Sequence, residues 1–202
     1  MGLNLHYHKG QTPIDEDEKE DLLIPTIATR AELDEFEQAN ILDAIEWSTK
    51  LNQGISQILT ISFLREVHTR MFSDVWAWAG SFRQTNKNIG VDKYLIEQEL
   101  RKLLQDGNFW IEHRVYPEDE IAVRLKHRTV SIHPFPNGNG RHSRIYCDII
   151  VSKGFRRPVF SWGGKDINYP GEARNIYLQA LKAADAGDYR PLIEFARSGS
   201  PA

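Results

Sequence analysis

Between Ile132 and Arg141 the chain places Pro134, Pro136, Gly138 and Gly140, whereas residues 118–132 before them and 141–151 after them contain neither proline nor glycine. A chain built this way must change direction here. Proline disfavours helical geometry at the residue before it, so a helix arriving along 118–132 ends and delivers His133 at its tip. Gly138-Asn139-Gly140 then forms a turn whose amides can approach a ligand closely, because glycine lacks a Cβ and tolerates positive φ. Ile145, Ile149 and Ile150 recur at helical spacing, so the turn opens a second helix. A helix, a tight turn and another helix are therefore fixed before any other part of the fold.

The chemistry of that turn follows from its composition. Amides at a helix N-terminus have no intrahelical partner and favour an anion. Arg141 and Arg144 stand three apart, on one helical face, and two guanidinium forks beside an amide nest suit a polyphosphate better than a single carboxylate. His133, just ahead of the nest, is placed to take a proton from a hydroxyl that attacks the polyphosphate. Taken singly, a His-Pro or Gly-Asn-Gly pair is an ordinary turn and two helical arginines an ordinary solvated face. At this spacing they read together as a phosphate site with a base beside it.

The remaining pattern is mainly helical, without repeats. Residues 1–28 read as irregular, and the acidic run from Asp15 to Asp21 as a solvated tether. Thr29-Arg30-Ala31-Glu32 is a capping box, starting a helix that carries Leu33, Phe36, Ile41 and Ile45 towards Trp47. Leu64, Val67 and Met71 predict a helix over 62–73, and Leu100, Leu103 and Leu104 another over 97–110. The Asn-rich stretch from Gln84 to Leu95, turning at Gly90, predicts a small β-hairpin. Gly154 should end the motif helix and Gly187 a helix over 172–186. The expected architecture is an all-α bundle with one hairpin.

Composition narrows the class. A formal charge of -3 is too small for an electrostatic nucleic-acid binder. No apolar run approaches the ~20 residues that span a bilayer, and the N-terminus has no basic stretch followed by an apolar one. These features predict a cytoplasmic protein with neither nucleic-acid nor membrane partners. Cys147, the only cysteine, excludes an intramolecular disulfide and reads as a small buried hydrophobe. His127 reads as a hydrogen-bonded core residue and His142 as a surface one. With His133 they lack the His-Glu-x-x-His spacing of a metal hydrolase. Gly163-Gly164-Lys165 lacks the earlier glycine and following Ser or Thr of a Walker loop, and reads as a plain loop.

The segment His133-Pro134-Phe135-Pro136-Asn137-Gly138-Asn139-Gly140-Arg141-His142-Ser143-Arg144 resembles the signature of Fic (Fido-domain) proteins, His-Pro-Phe-x-(Asp/Glu)-Gly-Asn-Gly-Arg-x-x-Arg. Trp78-Ala79-Gly80-Ser81-Phe82-Arg83, Asn88-Ile89-Gly90 and Tyr94 resemble the family's segment leading into its flap. Tyr177-Leu178-Gln179-Ala180-Leu181 and Gly187-Asp188-Tyr189-Arg190-Pro191-Leu192 resemble its closing helices, so the resemblance covers residues 55–197. Leu33-Asp34-Glu35-Phe36-Glu37-Gln38-Ala39-Asn40-Ile41 is similar to a subgroup named mobile mystery protein B, found with mobile elements in bacteria. The resemblance divides the chain into an N-terminal extension with a regulatory helix, 1–54, and a Fic domain, 55–202.

It implies nucleotidyl transfer, most often AMPylation: the AMP moiety of ATP moves to a Ser, Thr or Tyr hydroxyl of a target protein, with auto-modification and homodimer formation compatible with it. In that comparison His133 is the base, the Gly138-Asn139-Gly140 amides form the anion hole, and Arg141 and Arg144 hold the polyphosphate. Phe135 packs under the loop and Asn139 helps hold the phosphate. The flap pairs with an extended target segment, with Ile89 and Tyr94 either clamping it or packing the flap on the domain. Tyr177 either lines the adenine pocket or belongs to the core. Asn137 departs from the pattern, since active members carry there an acid that binds Mg2+, and its amide lacks the formal charge. This weakens the metal site and leaves open a kinase-like or other phosphate-group transfer, or a nucleotide-binding module without turnover. The family's inhibitory motif has no clean match, but Glu35 or Glu37 could reach Arg144 from the first helix; either is as readily a solvated acid.

Overall fold

The computed structural model describes residues 14–164 and 171–199. The thirteen N-terminal residues, and Lys165 next to Gly163-Gly164, lie outside the described residues. In chain order the helices are α1 (Glu16–Lys19), α2 (Arg30–Thr49), α3 (Ile55–Ile58), α4 (Ile61–Phe72), α5 (Ile96–Glu112), α6 (Glu118–Ile132), α7 (Asn139–Ile149), α8 (Glu172–Asp185) and α9 (Arg190–Arg197). Short 3-10 turns lie at Lys93–Leu95 and Trp162–Gly164, and a π-turn over Ile150–Gly154 prolongs α7. Among the described residues no strand ladder forms, and an isolated antiparallel bridge joins Leu22 and Trp76. None of the described helices is long and apolar enough to cross a membrane.

The helices lie where capping and apolar spacing put them. The Thr29 hydroxyl accepts from Glu32 N at 3.3 Å while the Glu32 carboxylate accepts from Thr29 N at 2.9 Å, closing the box that starts α2. Its buried face, however, is Leu33, Glu37, Asn40, Ile41 and Ala44, and Phe36 and Ile45 are exposed. Two polar residues hide on the inner face, so apolar periodicity alone phases this helix wrongly. Asn40 explains one of them: its amide donates to Arg70 O at 3.1 Å and accepts from Asp74 N at 3.0 Å, tying α2 to the end of α4.

α6 and α7 run through the centre. Leu125, Ile132, Tyr146, Cys147 and Ile150 are buried, and α5, α4 and α9 pack round them. Arg197 of α9 grips Asp119 of α6 with two bonds, Nε to Oδ2 at 2.8 Å and Nη2 to Oδ1 at 2.6 Å, the bidentate geometry that makes an arginine–carboxylate pair directional. Cys147 is buried with its thiol on Ala122 O, and burial pushes its pKa well up, which makes it inert.

The hairpin expected between Gln84 and Leu95 is absent as a ladder. Its place is taken by a loop whose side chains close it instead. Asn86 accepts from Lys93 N at 2.8 Å and donates to Asp92 at 3.0 Å, and Lys93 Nζ reaches Gln84 O at 2.7 Å. These bonds satisfy groups that cross-strand pairing would otherwise take. The acidic run is likewise no solvated tether. Asp15 and Glu18 hold Lys87, its side chain 3% exposed, at 2.7 and 2.5 Å, Asp15 also accepts from the Thr85 hydroxyl, and Trp78 Nε1 donates to Glu18 O. Partners seventy positions apart leave no local trace in sequence, so a charge run on a short helix looked free.

Breaking a buried pair strands the remaining charge. Lys87→Met should therefore cost roughly 3 kcal/mol in urea unfolding, the low end of the range for buried pairs because Asp15 keeps partial access to water. A loss below about 0.5 kcal/mol, the level of an exposed pair, would show that the α1 contact contributes nothing.

Candidate active site

α6 ends at Ile132, and the next residue, His133, takes left-handed backbone angles, φ 56° and ψ 60°. That conformation is uncommon outside glycine, and a buried arginine holds it. Arg83, 1% exposed, donates through Nε to His133 O at 2.7 Å, through Nη1 to Thr85 O at 2.7 Å, and through Nη2 to Val91 O. Its own amide donates to Pro134 O at 2.9 Å, so the guanidinium and backbone of one residue bind the loop on both sides of the His-Pro bond. Gly90 approaches from the other side. A Cβ there would lie 2.7 Å from His133 Cβ, and φ at Gly90 is 101°.

The turn itself rests on a second buried histidine. His68 lies in α4, stacked on Phe135 with centroids 3.7 Å apart and planes 16° from parallel. Its Nδ1 accepts from Gly80 N at 2.9 Å, so its Nε2 carries the hydrogen that goes to Asn137 O at 3.1 Å. Phe135 is fully buried. Asn139 closes the loop from inside, its side chain accepting from Phe135 N at 3.0 Å and donating to Phe135 O at 2.8 Å. Its carboxamide thus shapes the loop. Gly138 caps α7 at φ 75°, where a Cβ would fall 2.5 Å from the Phe72 ring. The amides of Asn139, Gly140 and Arg141 form the first turn of α7, which an α-helix leaves without internal acceptors.

The two arginines are held differently. Arg141 Nη1 lies 2.5 Å from Glu37 Oε2, and Glu37 Oε1 accepts from Trp76 Nε1 at 2.7 Å. Glu37 is 1% exposed. The carboxylate from α2 therefore meets the first motif arginine, not Arg144. Arg144 lies instead beside Tyr177, its guanidinium carbon 5.9 Å from that ring's centroid, and the Tyr177 hydroxyl accepts from the fully buried Lys126.

These groups surround one cleft of about 1180 Å³. Its wall includes His133, Asn137 to Arg141, Arg144 and Tyr177, and also Ile89, Glu35 and Arg174. Tyr94, 83% exposed, is not among its lining residues. Burial drives the His133 pKa down to about 4, opposed by the backbone of Val130 and reinforced by the charges of Arg83 and Lys87. The ring is neutral near pH 7. His127 bonds Asp185 at 2.8 Å and the Tyr189 hydroxyl at 3.2 Å. His142 is not at the surface: it is fully buried, bonded to Leu64 O at 2.9 Å, and burial lowers its pKa to about 4. It lies on the inner side of α7, facing Phe135 and Tyr146. Among the described residues no three His, Cys, Asp or Glu side chains converge to hold a metal.

Sequence reasoning overlooked His68, Arg83 as a clamp, Lys126 and Arg174. The first three are buried and act on groups far along the chain. Arg174, in the first turn of α8, offered no pattern of its own.

Residues 58–151 match the sequence model of the Fic/DOC family. "Protein adenylyltransferase Fic" of Drosophila yakuba is 30% identical over 142 residues, 68% of this chain and 27% of that protein. The protein of the same name from Nematostella vectensis is 28% identical over 144 residues, 69% of this chain and 32% of that protein. The chain thus spans about a third or less of these curated relatives. Among solved structures, C. elegans Fic-1 (residues 134–508) superposes with a TM-score of 0.64 at 21% identity, covering 88% of this chain and 50% of that one. BepC of Bartonella tribocorum with bound AMPPNP gives 0.64 at 18% identity, covering 91% and 97%. These two share the fold.

Three neutral histidines, His68, His133 and His142, are buried at this site with pKa values below 6.5, two of them near 4. Unfolded histidine binds a proton near pH 6.5 that these folded sites reject, so stability is full above that pH and is lost as the pH falls towards 4. Urea unfolding at pH 5 should give roughly 3 kcal/mol less stability than at pH 7. A flat profile over that interval would contradict three buried neutral rings.

Proposed function

The chain belongs to the Fic/DOC family through residues 58–151, and from that premise we propose that its cleft transfers the AMP moiety of ATP to a Ser, Thr or Tyr hydroxyl of a target protein. The observation that carries the reading is a neutral, buried imidazole on the wall that also presents the first-turn amides of α7 and Arg144. A neutral imidazole carries its hydrogen on one nitrogen, and the other serves as the base. His133 removes the proton as the target oxygen forms its bond to the α-phosphorus. The bond from that phosphorus to the bridging oxygen breaks, and pyrophosphate leaves.

The amides of Asn139, Gly140 and Arg141 face the oxyanions, and Arg141, Arg144 and Arg174 supply positive charge along the same wall. Fixed donors of this kind act without reorganisation, because the Arg83 and Asn139 bonds set the loop before any ligand arrives.

Asn137 would hold magnesium through an amide oxygen that already accepts from Gly138 N at 2.7 Å. A neutral donor of this kind fits an ion carried mainly by the phosphates, and the ion supplies charge neutralisation there. The neutral residue favours a second reading, transfer of a different phosphate-containing group or binding without turnover. The flap over 84–95 is the surface for an extended target segment, with Ile89 at the cleft wall and Tyr94 away from it. Residues 1–54 act as a regulatory extension: Glu37 restrains Arg141 and keeps it from closing on the polyphosphate, while Glu35 is exposed at the rim.

Incubation with ATP and magnesium, followed by intact-mass analysis of the protein and candidate targets, should show the mass of AMP added, and His133→Ala should lower transfer at least ~100-fold. Addition of a lone phosphate would replace this reading with the kinase-like one; binding without any added mass would leave the non-catalytic module. Glu37→Gln keeps an acceptor for Trp76 and removes the negative charge that faces Arg141. Auto-modification should rise about fivefold or more, as expected when a charged pair that competes with substrate is broken; an unchanged rate would end the regulatory role of Glu37.

A further inference from the structure

Tyr94 ends the loop over 84–95, and its side chain is 83% exposed. The other tyrosines among the described residues are engaged. Tyr146 and Tyr177 are buried and hydrogen-bonded, and the guanidinium of Arg124 covers Tyr116 and Tyr189 at 4.0 and 4.1 Å from their ring centroids. The Tyr94 hydroxyl makes no hydrogen bond within the described residues, whereas the backbone that carries it is fixed. Tyr94 N donates to Asp92 Oδ1 at 2.9 Å, and Val91 N donates at 3.3 Å to the carbonyl of Ile132, the residue before the base. The loop thus holds one tyrosine outward on a bonded support, and the packing makes no use of its phenol.

We propose that Tyr94 is a modification site of this chain and receives AMP in the cleft of a second copy. The proposal rests on the nucleotidyl-transfer reading and names an acceptor for it. A second copy supplies the cleft, because Tyr94 is absent from the wall of its own and its ring projects into solvent. Two features of the base select a phenol. His133 is 4% exposed, so the hydroxyl must be carried inward from the backbone of the incoming segment, and a tyrosine reaches further than a serine or threonine. With a pKa of about 4, His133 is also a weak proton acceptor. A phenol titrates near ~10 and gives up its proton far more readily than an alkyl hydroxyl. In the step, the phenol oxygen of one copy forms a bond to the α-phosphorus of ATP held by the other. The second copy's His133 takes the phenolic proton, the bond from phosphorus to the bridging oxygen breaks, and pyrophosphate leaves with the electron pair. Lys93, whose Nζ lies 5.0 Å from the Tyr94 ring centroid, supplies a counter-charge to the phosphodiester that results.

The test mixes the full parent chain with a heavy-isotope-labelled His133→Ala chain, so that enzyme and acceptor differ in mass. After incubation with ATP and magnesium, tandem mass spectrometry locates the added group. AMP should appear on Tyr94 of the heavy, base-less chain, and adding Tyr94→Phe to that chain should abolish its labelling. AMP on a serine or threonine of the heavy chain instead overturns the proposal. So does AMP on Tyr94 of the parent alone, which marks transfer within one chain. If neither chain carries AMP the proposal fails, and a parallel reaction of the parent with α-labelled ATP and a cell lysate separates the two failures. Label there that His133→Ala abolishes leaves the transferase reading standing, and no label ends both. If circular dichroism shows His133→Ala to be unfolded, Arg144→Ala takes its place as the heavy acceptor, with the same outcomes.

Discussion

Everything at the cleft depends on where one buried guanidinium points. Arg83 reaches His133 O, Thr85 O and Val91 O while its amide holds Pro134 O. An arginine taken out of water must have its donors satisfied. Here the acceptors are backbone carbonyls from two segments of the chain, so satisfying the arginine and joining the segments are one event. The left-handed turn at His133 is stable because the surrounding bonds over-determine it. The loop over 84–92 could have paired as strands. It is organised round Arg83 instead, and that brings Gly90 against the base.

The electrostatics of the site rests on keeping histidines neutral. His68 is fixed as one tautomer by a donor on one side and an acceptor on the other, and its stacking on Phe135 places Asn137 O and therefore the turn. A protonated ring could not accept from Gly80 N. The burial that lowers the His133 pKa is thus the same packing that shapes the anion nest, and a base of low pKa trades proton affinity for constant availability near neutral pH.

The sequence disclosed the central helix, turn and helix because local rules decide them: proline at 134, glycine at 138 and 140, and an unbroken apolar stripe after the turn. The α2 capping box was legible for the same reason. What it concealed is long-range. Glu37 and Asn40 face inward on α2 because Arg141, Trp76, Arg70 and Asp74 wait for them, and no window of α2 contains those partners. His142 looked like a surface residue of the motif helix, yet Leu64 O lies within hydrogen-bond reach of its ring. The family resemblance named Arg141 and Arg144 as a pair, but only the structure separates them.

That separation bears on how one cleft could both bind and restrain. An arginine tied to a buried carboxylate is held by charge, and a substrate oxyanion must compete with that carboxylate for it. Arg144 lies beside Tyr177, 5.9 Å from its ring centroid, while Glu37 is engaged by Arg141. The first arrangement makes Arg141 responsive to any movement of α2, since Glu37 belongs to that helix and spans Arg141 and Trp76 with its two oxygens. The second sets Arg144 beside Tyr177 of α8, whose hydroxyl accepts from Lys126 of α6. A fold that places its two motif arginines under separate control can adjust one without loosening the other, and the contacts that do so lie outside the motif itself.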